Sequence, residues 1–330
     1  MRAVRIHDWG AAPVLDEVPA PVPGPGETLV RVEAAAVAHL DLTVAGGKFH
    51  IRPELPYVGG VEGCGTVLSS DVHPAGTRVM LRGGGLGLLR DGTWAELVTA
   101  KTRSLAPLPA KLSPQLGASY FVPTTTAYVA LHDVARLGDW PVDGVGAARD
   151  EVVVVLGAAG AVGSMVVQLA LRAGCTVIGV VSGERRNGQL PPGAETVRLD
   201  DEARIAELRR DRPATLLVDT VGGPALAARS RWVRPGGRTV VVGYVAGTDL
   251  GLDLPNWLLD DVALLPVNMI RREGAARRHL SELTGLLLRG ELTLEVEQFG
   301  LADAGRALHL LATGGLTGRA VLVPDPDAVP

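Results

Sequence analysis

Residues Val152–Gly163 read V-V-V-V-L-G-A-A-G-A-V-G and lead into an apolar segment, Ser164–Ala173. The β-branched run predicts a strand buried on both faces, and the glycines after it supply a tight turn and a close backbone approach. Apolar residues then recur at helical spacing, at Val162, Val166 and Leu169. Strand, glycine turn and helix predict a dinucleotide-binding unit, in which N–H groups at the helix N-terminus hold a pyrophosphate.

A membrane span or an ordinary strand-to-helix turn would also account for parts of this stretch. Val152–Leu171 is twenty residues without a charged side chain, but its glycine-rich centre and strand-like first half argue against a membrane span. A glycine turn joins many strands to helices, and Ala158 replaces the first glycine of the G-x-G-x-x-G pattern. The rest of the chain therefore has to support the prediction.

Length and composition limit the possible classes of protein. A chain of 330 residues predicts two domains, and 47% hydrophobic with 21% charged residues is typical of a globular protein. A net charge of −4 gives no general attraction to nucleic acid or membrane, so a small-molecule substrate is the expected partner. The basic run at 271–279 is expected to be a solvated helix face. The charged N-terminus and only two cysteines favour a cytoplasmic location.

The pattern of elements changes near residue 123. Before it, short β-leaning runs separated by turns predict an all-β barrel or sandwich: Ala3–Ile6, Thr28–Val37, Gly65–Leu68, Arg78–Leu81 and Trp94–Thr99. After a helical segment and a glycine-rich loop, strands and helices alternate. The strands are Val152–Leu156, Thr176–Val181, Thr196–Leu199, Thr215–Asp219 and Arg238–Gly243, with helices at Asp201–Arg210 and Pro224–Val233 between them. This alternation predicts an α/β fold with a doubly wound parallel sheet.

Several segments carry a family resemblance together although each is weak alone. They are P-Y-V-G-G-V-E-G-C-G-T-V from Pro56, T-T-A-Y-V-A-L from Thr125, G-A-A-G-A-V-G from Gly157, D-T-V-G-G from Asp219, R-P-G-G-R from Arg234 and T-G-R-A-V-L from Thr317. The chain resembles the medium-chain dehydrogenase/reductase superfamily, and within it the zinc-free quinone oxidoreductase branch. The resemblance implies a β-rich, GroES-like catalytic domain at 1–122, an NADP-binding Rossmann domain at 123–264 and a C-terminal part, 265–330, that returns to the catalytic domain. It also implies a homodimer.

The positions of the zinc ligands argue against a metal. Zinc members carry a cysteine in a C-H-T-D motif and a histidine in G-H-E, whereas this chain has A-H-L-D from Ala38 and G-V-E from Gly60. Alanine and valine cannot bind zinc, and two cysteines cannot build the four-cysteine structural site. A site rebuilt from dispersed residues is the alternative, with candidates His39, Asp41, Glu62 and His73. The sequence therefore predicts no bound metal.

The end of the second Rossmann strand favours NADPH over NADH. An acidic residue there would accept from the ribose 2′-hydroxyl, but the position is Ser182, followed by Arg185 and Arg186. A hydroxyl and two guanidinium groups suit a 2′-phosphate. Glu184 is the alternative ribose ligand and would favour NAD. By the resemblance, the other cofactor-binding residues are Thr126, Ala159, Gly160, Ala161, Val162, Gly243, Tyr244, Val245, Asn268 and Arg319.

Several residues are candidates for the proton donor. Quinone reductases often carry Asn and Tyr where this chain has Ala38 and Thr43. The remaining candidates are His39, Asp41, Lys48, Tyr57 and Tyr128, any of which can instead be structural. Substrate choice depends on loops such as Gly46–Pro56 and Asn256–Asn268.

These observations predict a zinc-independent, NADPH-dependent reductase that transfers hydride to a quinone or an α,β-unsaturated carbonyl compound. Because the Asn and Tyr are missing, a nucleotide-binding sensor or structural protein that has lost catalysis is a second hypothesis. A reductase of an enoyl thioester or a biosynthetic intermediate is a third.

Overall fold

The structure is a computed structural model that describes residues 1–183, 190–316 and 318–325, without the side chain of Glu273. The chain divides into two compact units, Met1–Phe121 with Leu294–Pro330 and Val122–Thr293. None of the helices in these described ranges is long and apolar enough to cross a membrane.

The N-terminal part of the first unit is mainly β-structure. Its elements are β1 (Arg2–Ile6), β2 (Val14–Glu17), β3 (Glu27–Ala36), α1 (His39–Ala45), β4 (Tyr57–Val58), β5 (Glu62–Ser69), β6 (Arg78–Arg82), β7 (Leu97–Lys101), β8 (Leu105–Pro107) and α2 (Pro114–Ser119). Strand β3 alternates between half-buried and buried residues over most of its length, as expected for a strand with one face in the core. The predicted strands are present, but the short helices α1 and α2 were not predicted.

The second unit alternates strands and helices. It begins within α3 (Phe121–Tyr128), which continues as a π-helical turn at Val129–Val134. The elements that follow are β9 (Val152–Leu156), α4 (Ala161–Arg172), β10 (Thr176–Val181), β11 (Ala194–Arg198), α5 (Glu202–Asp211), β12 (Ala214–Asp219), α6 (Leu226–Ser230), β13 (Val233–Val241), α7 (Leu254–Asp260), β14 (Ala263–Pro266), α8 (Met269–Arg278) and α9 (Leu280–Leu288).

The chain then returns to the first unit through β15 (Val296–Gly300), α10 (Ala304–Thr313) and β16 (Arg319–Val323). The main sheet of that unit has the order β15-β16-β3-β5-β6-β8, with β7 also paired to β3, and a smaller antiparallel sheet has the order β2-β1-β4. One hydrophobic core, which includes Trp94, Val30 and Leu322, joins strands from both parts of the chain. The C-terminal segment is thus an integral part of this unit.

The sheet of the second unit is parallel and has the order β11-β10-β9-β12-β13-β14. Numbered from β9, this is the 3-2-1-4-5-6 order of a dinucleotide-binding fold. Val153, Val154 and Val155 in β9 are completely buried, because helices cover both faces of a doubly wound sheet. The order of the strands reverses between β9 and β12, and ligands bind at such a point, beyond the carboxyl ends of the strands.

The C-terminal domain boundary differs from the predicted one. Residues 265–293 belong to the second unit, so the chain leaves that unit after Thr293 and not after residue 264. Two contacts within the unit account for the difference. His279, between α8 and α9, stacks on Tyr128 with 4.2 Å between ring centroids, and the backbone N–H of Thr293 donates to Gln168 in α4 at 2.8 Å.

Candidate active site

The glycine turn between β9 and α4 forms a cradle of backbone at the carboxyl edge of the parallel sheet. Gly157 has a φ of 73°, and a Cβ on Gly163 would overlap the carbonyl oxygen of Gly157. Helix α4 starts after Gly160 without a side-chain cap, so the first N–H groups of Ala161 and Val162 remain available to a ligand. A twelve-residue helix with an open N-terminus suits an anionic pyrophosphate.

The residues that follow the neighbouring strands β12 and β13 lie next to this glycine turn. The Thr220 hydroxyl, after β12, donates to the Leu156 carbonyl at 2.8 Å and lies against Gly157. On its other side, the Thr220 carbonyl lies so close to Gly243, after β13, that a side chain at Gly243 would overlap it. The carboxyl ends of β9, β12 and β13 therefore form one continuous edge with Thr220 at its centre.

A buried ion pair holds the turn after β12 in place. Asp219 is completely buried, and its carboxylate accepts from the backbone N–H groups of Val221 and Gly222 at 2.8 and 2.7 Å. The Arg229 guanidinium donates to the same carboxylate at 2.8 Å and to the Gly222 carbonyl at 2.7 Å. The sequence interpretation included D-T-V-G-G in the family resemblance but assigned neither Thr220 nor Arg229 to the site.

The structure brings most of the predicted cofactor residues to this edge. Those at strand ends within the second unit are Ala159, Gly160, Ala161 and Val162 after β9, Ser182 after β10, Gly243, Tyr244 and Val245 after β13, and Asn268 after β14. Ser182 is exposed. The Asn268 amide oxygen caps α8, where it accepts from Arg271 at 3.0 Å. Thr126 is buried on α3, and Arg185 and Arg186 lie outside the described residues.

In the first unit, Asp41 connects the two positions at which zinc members carry ligands. Its carboxylate accepts from the backbone N–H of Ala38 at 2.8 Å and from that of Val61 at 3.0 Å. All three residues are buried. Burial raises the pKa of Asp41 to about 7, although both backbone hydrogen bonds and the positive charge of Arg319 act against this rise.

A second buried charge pair lies next to Asp41. Glu62, which begins β5, pairs with Arg319, which begins β16, and both side chains are buried. The charges of both residues act on the pKa of Asp41, Arg319 lowering it and Glu62 raising it. Arg319, predicted near the cofactor, therefore forms a charged cluster with Asp41 and Glu62 within the first unit.

The candidate proton donors separate into different environments. Tyr57 is 4% exposed beside this charged cluster, and burial together with the charge of Asp41 raises its pKa. His39 is exposed at the first position of α1. Tyr128 lies in the second unit, where its ring contacts His132 and His279 at 4.4 and 4.2 Å. Asp41 and Tyr57 are thus neighbours, whereas Tyr128 is on a different unit.

The residues at the positions of the zinc ligands do not fit a metal ion. Ala38 and Val61 offer no ligand atom, and the Asp41 carboxylate already accepts from the backbone of both. His73 lies in the turn after β5, where its backbone N–H donates to Ser70. The described part of the chain contains no group of three or more His, Cys, Asp or Glu side chains that could hold a metal.

Comparison with known proteins identifies the family. The model of the alcohol dehydrogenase GroES-like domain matches residues 24–110, and the model described as zinc-binding dehydrogenase matches residues 161–284. The quinone oxidoreductase of Mus musculus is 28% identical over 257 residues, which cover 74% of this chain and 73% of that protein. The chain belongs to the medium-chain dehydrogenase/reductase superfamily, in its quinone oxidoreductase-like branch.

Two further proteins show how far the likeness extends. A zinc-type alcohol dehydrogenase-like protein of Schizosaccharomyces pombe is 37% identical over 213 residues, which cover 64% of this chain but only 59% of that protein. A mycobacterial protein solved in complex with NADPH has a TM-score of 0.83 and 25% identity, with 98% of this chain and 100% of that chain covered. This member of the superfamily is an NAD(P)-dependent oxidoreductase, and its GroES-like and Rossmann-type folds confirm the predicted fold class.

Proposed function

We propose that this oxidoreductase is a zinc-independent, NADPH-dependent reductase of quinones or α,β-unsaturated carbonyl compounds. The observation that carries the proposal is the Asp41 clamp, by which we mean the Asp41 carboxylate with the backbone N–H groups of Ala38 and Val61. Where a dehydrogenase with zinc would present a thiolate and an imidazole, this chain has two apolar side chains tied together through their backbone. Polarisation of the substrate by a metal is thereby replaced with hydrogen bonding and positioning.

The second unit offers the groups that would hold NADPH. Backbone N–H groups of Ala161 and Val162 suit the pyrophosphate, and the strand ends at Thr220 and Gly243 suit the nicotinamide half. We propose that Ser182 and the arginines that follow it in sequence bind the 2′-phosphate. When bound, this cofactor supplies a hydride to the electrophilic carbon of the substrate, and one proton completes the two-electron reduction.

The first unit offers groups for the substrate oxygen. We propose that the Tyr57 hydroxyl donates a hydrogen bond to that oxygen as negative charge develops on it. A tyrosine hydroxyl is protonated at physiological pH, and burial raises the pKa of Tyr57 further. Asp41 holds the backbone at 38 and 61 and acts as a positioning residue in this proposal.

Two measurements on the purified protein test this function. The first follows NADPH oxidation at 340 nm with a panel of quinones and enones, and we expect turnover with at least one of them. The second determines bound metal by mass spectrometry and repeats the assay after treatment with a chelator, which we expect to leave the rate unchanged. Stoichiometric zinc, with activity lost to the chelator and restored by zinc, would contradict the proposal.

One observation favours the second hypothesis, a nucleotide-binding protein without catalysis. Thr43, at the position where quinone reductases often carry a tyrosine, donates its hydroxyl to the carbonyl of His39 within α1. Tight NADPH binding without oxidation by any quinone, enone or enoyl thioester would support that hypothesis.

A further inference from the structure

Segment Gly46–Pro56 of the first unit carries three basic side chains to which neither the fold nor the proposed reaction gives a role. The segment starts where α1 ends and leads to Tyr57 in β4. It therefore connects the helix that carries Asp41 to the proposed hydrogen-bond donor. We call Lys48, His50 and Arg52 the basic strip.

The exposure of the side chains alternates along this segment. Lys48, His50, Arg52 and Glu54 are exposed, whereas the residues between them, from Phe49 to Leu55, are half-buried or buried. Alternation over eight residues places the three basic groups on the solvent side of the segment and the apolar groups beneath them. One carboxylate, Glu54, shares the exposed side, so the strip keeps a net positive charge.

The apolar side chains anchor the strip to the unit. Phe49 and Leu55 pack against a small hydrophobic cluster around Ile6, Val44 and Tyr57. The ring of Phe49 also contacts that of His50, with 4.5 Å between centroids. Because Tyr57 belongs to the same cluster, the basic strip is held on the layer that contains the proposed hydrogen-bond donor.

Within the described part of the chain, the basic groups of the strip have no carboxylate partner, whereas many arginines do. Arg2, Arg90, Arg204 and Arg319, for example, all form ion pairs. No salt bridge involves Lys48, His50 or Arg52 within the ranges that the structure describes. In a protein with a net charge of −4, this leaves a local cationic surface that attracts an anion.

We propose that the basic strip binds an anionic group of the substrate, which is therefore an enone or quinone with a carboxylate or phosphate at some distance from the reacting carbon. This inference rests on the proposed function and deepens it by naming the substrate class. Charge-assisted hydrogen bonds from Lys48 and Arg52 fix the anion. The feature that the strip recognises is a negative charge, which either a carboxylate or the phosphates of a coenzyme A thioester can supply.

Matched substrate pairs test the proposal. One pair is an enone that carries a carboxylate at the far end of its alkyl chain and the methyl ester of the same enone, and the other is an enoyl-coenzyme A and the enoyl thioester of N-acetylcysteamine. The quantity measured is the preference, that is, the ratio of kcat/KM for the charged member to kcat/KM for the neutral one. We expect the wild type to prefer the charged member of at least one pair. The pair that shows the preference identifies the source of the anion.

Variants assign that preference to the strip. In the double variant Lys48→Gln and Arg52→Gln, we expect the preference to fall at least tenfold. Arg103→Gln with Lys111→Gln removes the same charge from positions elsewhere in this unit, and we expect the preference to stay within twofold of wild type. Added salt should reduce the preference of the wild type.

The outcomes separate failure of this inference from failure of the proposed function. The proposal that the basic strip binds an anion would be wrong if the wild type used charged and neutral substrates equally. It would also be wrong if both double variants lost the preference to the same extent. Either result would leave the proposed reductase function intact. If the wild type reduced no quinone, enone or thioester of either kind, the proposed function itself would fail.

Discussion

Asp41 shows how a single carboxylate can connect the two backbone positions at which zinc members of the superfamily carry metal ligands. A metal connects the loops that carry its ligands, and here one carboxylate connects the same two positions by accepting from Ala38 and Val61. The adjacent Glu62 and Arg319 pair adds a second connection, between β5 and β16. The arrangement connects these backbone segments through hydrogen bonds and one buried ion pair.

Replacing Asp41 tests this clamp. In Asp41→Asn, only one oxygen remains as an acceptor, so one buried N–H loses its partner. We expect the free energy of unfolding to fall by about 1–3 kcal/mol at pH 8, where the wild-type carboxyl is ionised and accepts from both N–H groups; this is the cost of a buried unpaired donor. Urea unfolding of both proteins measures this difference.

The pH dependence of that difference follows from the raised pKa. The carboxyl has a pKa of about 7 in the fold and 3.8 as its ordinary value, so the native state keeps a proton that the unfolded chain loses between these values. The contribution of this carboxyl to the free energy of unfolding is therefore fully present below pH 3.8 and is lost as the pH rises to about 7. Asparagine does not titrate, so the deficit of the variant should be smaller at pH 8 than at pH 5. A deficit that is constant across this range would contradict the raised pKa.

Residues that depend on a motif could be predicted, whereas those that depend on long-range contacts could not. The replacement of zinc ligands by Ala38 and Val61 follows directly from two short motifs. The role of Arg229 depends on Asp219, ten residues earlier, and Arg319 meets Glu62 across 257 positions of sequence. Such pairs appear only when the sheets assemble, because no local pattern marks a buried arginine.

At the scale of elements, the β9 to α4 connection depends on a glycine inside a helix. Replacing a solvent-exposed helical glycine by alanine normally stabilises a protein by about 1 kcal/mol. At Gly163 the added Cβ would overlap the Gly157 carbonyl, which belongs to the backbone and cannot rotate away. We expect Gly163→Ala to reduce stability by about 1–3 kcal/mol, as overpacking does, and to weaken NADPH binding at least tenfold.

A glycine in another helix provides the matched control. Gly274 lies in α8, and a Cβ there would have no heavy atom within 4 Å. We expect Gly274→Ala to raise stability by up to about 1 kcal/mol and to leave the dissociation constant for NADPH unchanged. Thermal unfolding and NADPH fluorescence titration measure both properties. Equal effects of the two substitutions on NADPH binding would show that the close approach at Gly163 is unimportant.

The accuracy of the predicted elements depended on their length and on the strength of their pattern. Strands with continuous apolar runs, such as β9 and β10, were predicted with the observed bounds. The helix predicted at Pro224–Val233 is only the short α6, because the Asp219 and Arg229 pair holds the preceding turn and β13 begins at Val233. Helix α1 has seven residues, which is too few for a clear hydrophobic period.

At the scale of the whole molecule, an inserted unit accounts for the error in the C-terminal boundary. Alternation of strands and helices ends with β14, but α8 and α9 still pack within the second unit through His279 and Tyr128. Sequence periodicity indicates that a helix is present and does not indicate which unit the helix packs against. The homodimer that the family resemblance implies is likewise a property of the whole molecule that local patterns do not determine.

An exposed apolar surface on the second unit suggests where such a dimer forms. Leu258 and Leu259 on α7 are 70% and 82% exposed, and the indole N–H of Trp257 on the same helix donates to the carbonyl of Val262, just before β14. Among the strands that the structure describes, β14 is the last of its sheet, and none of the others pairs with its outer edge. We propose that a second copy covers this surface in a symmetric interface, because large exposed apolar patches are typical of interaction sites.

Light scattering coupled to gel filtration tests this interface. We expect the wild type to be a dimer and the variant with Leu258→Asp and Leu259→Asp to be a monomer, because a symmetric interface would bury all four introduced carboxylates without partners. Leu89→Asp is the control, since Leu89 is 72% exposed on the first unit and the substitution should leave the dimer intact. A monomeric wild type would contradict the homodimer. A dimeric double variant would show that the dimer interface does not include Leu258 and Leu259 on α7. Circular dichroism of the double variant separates loss of the interface from loss of the fold.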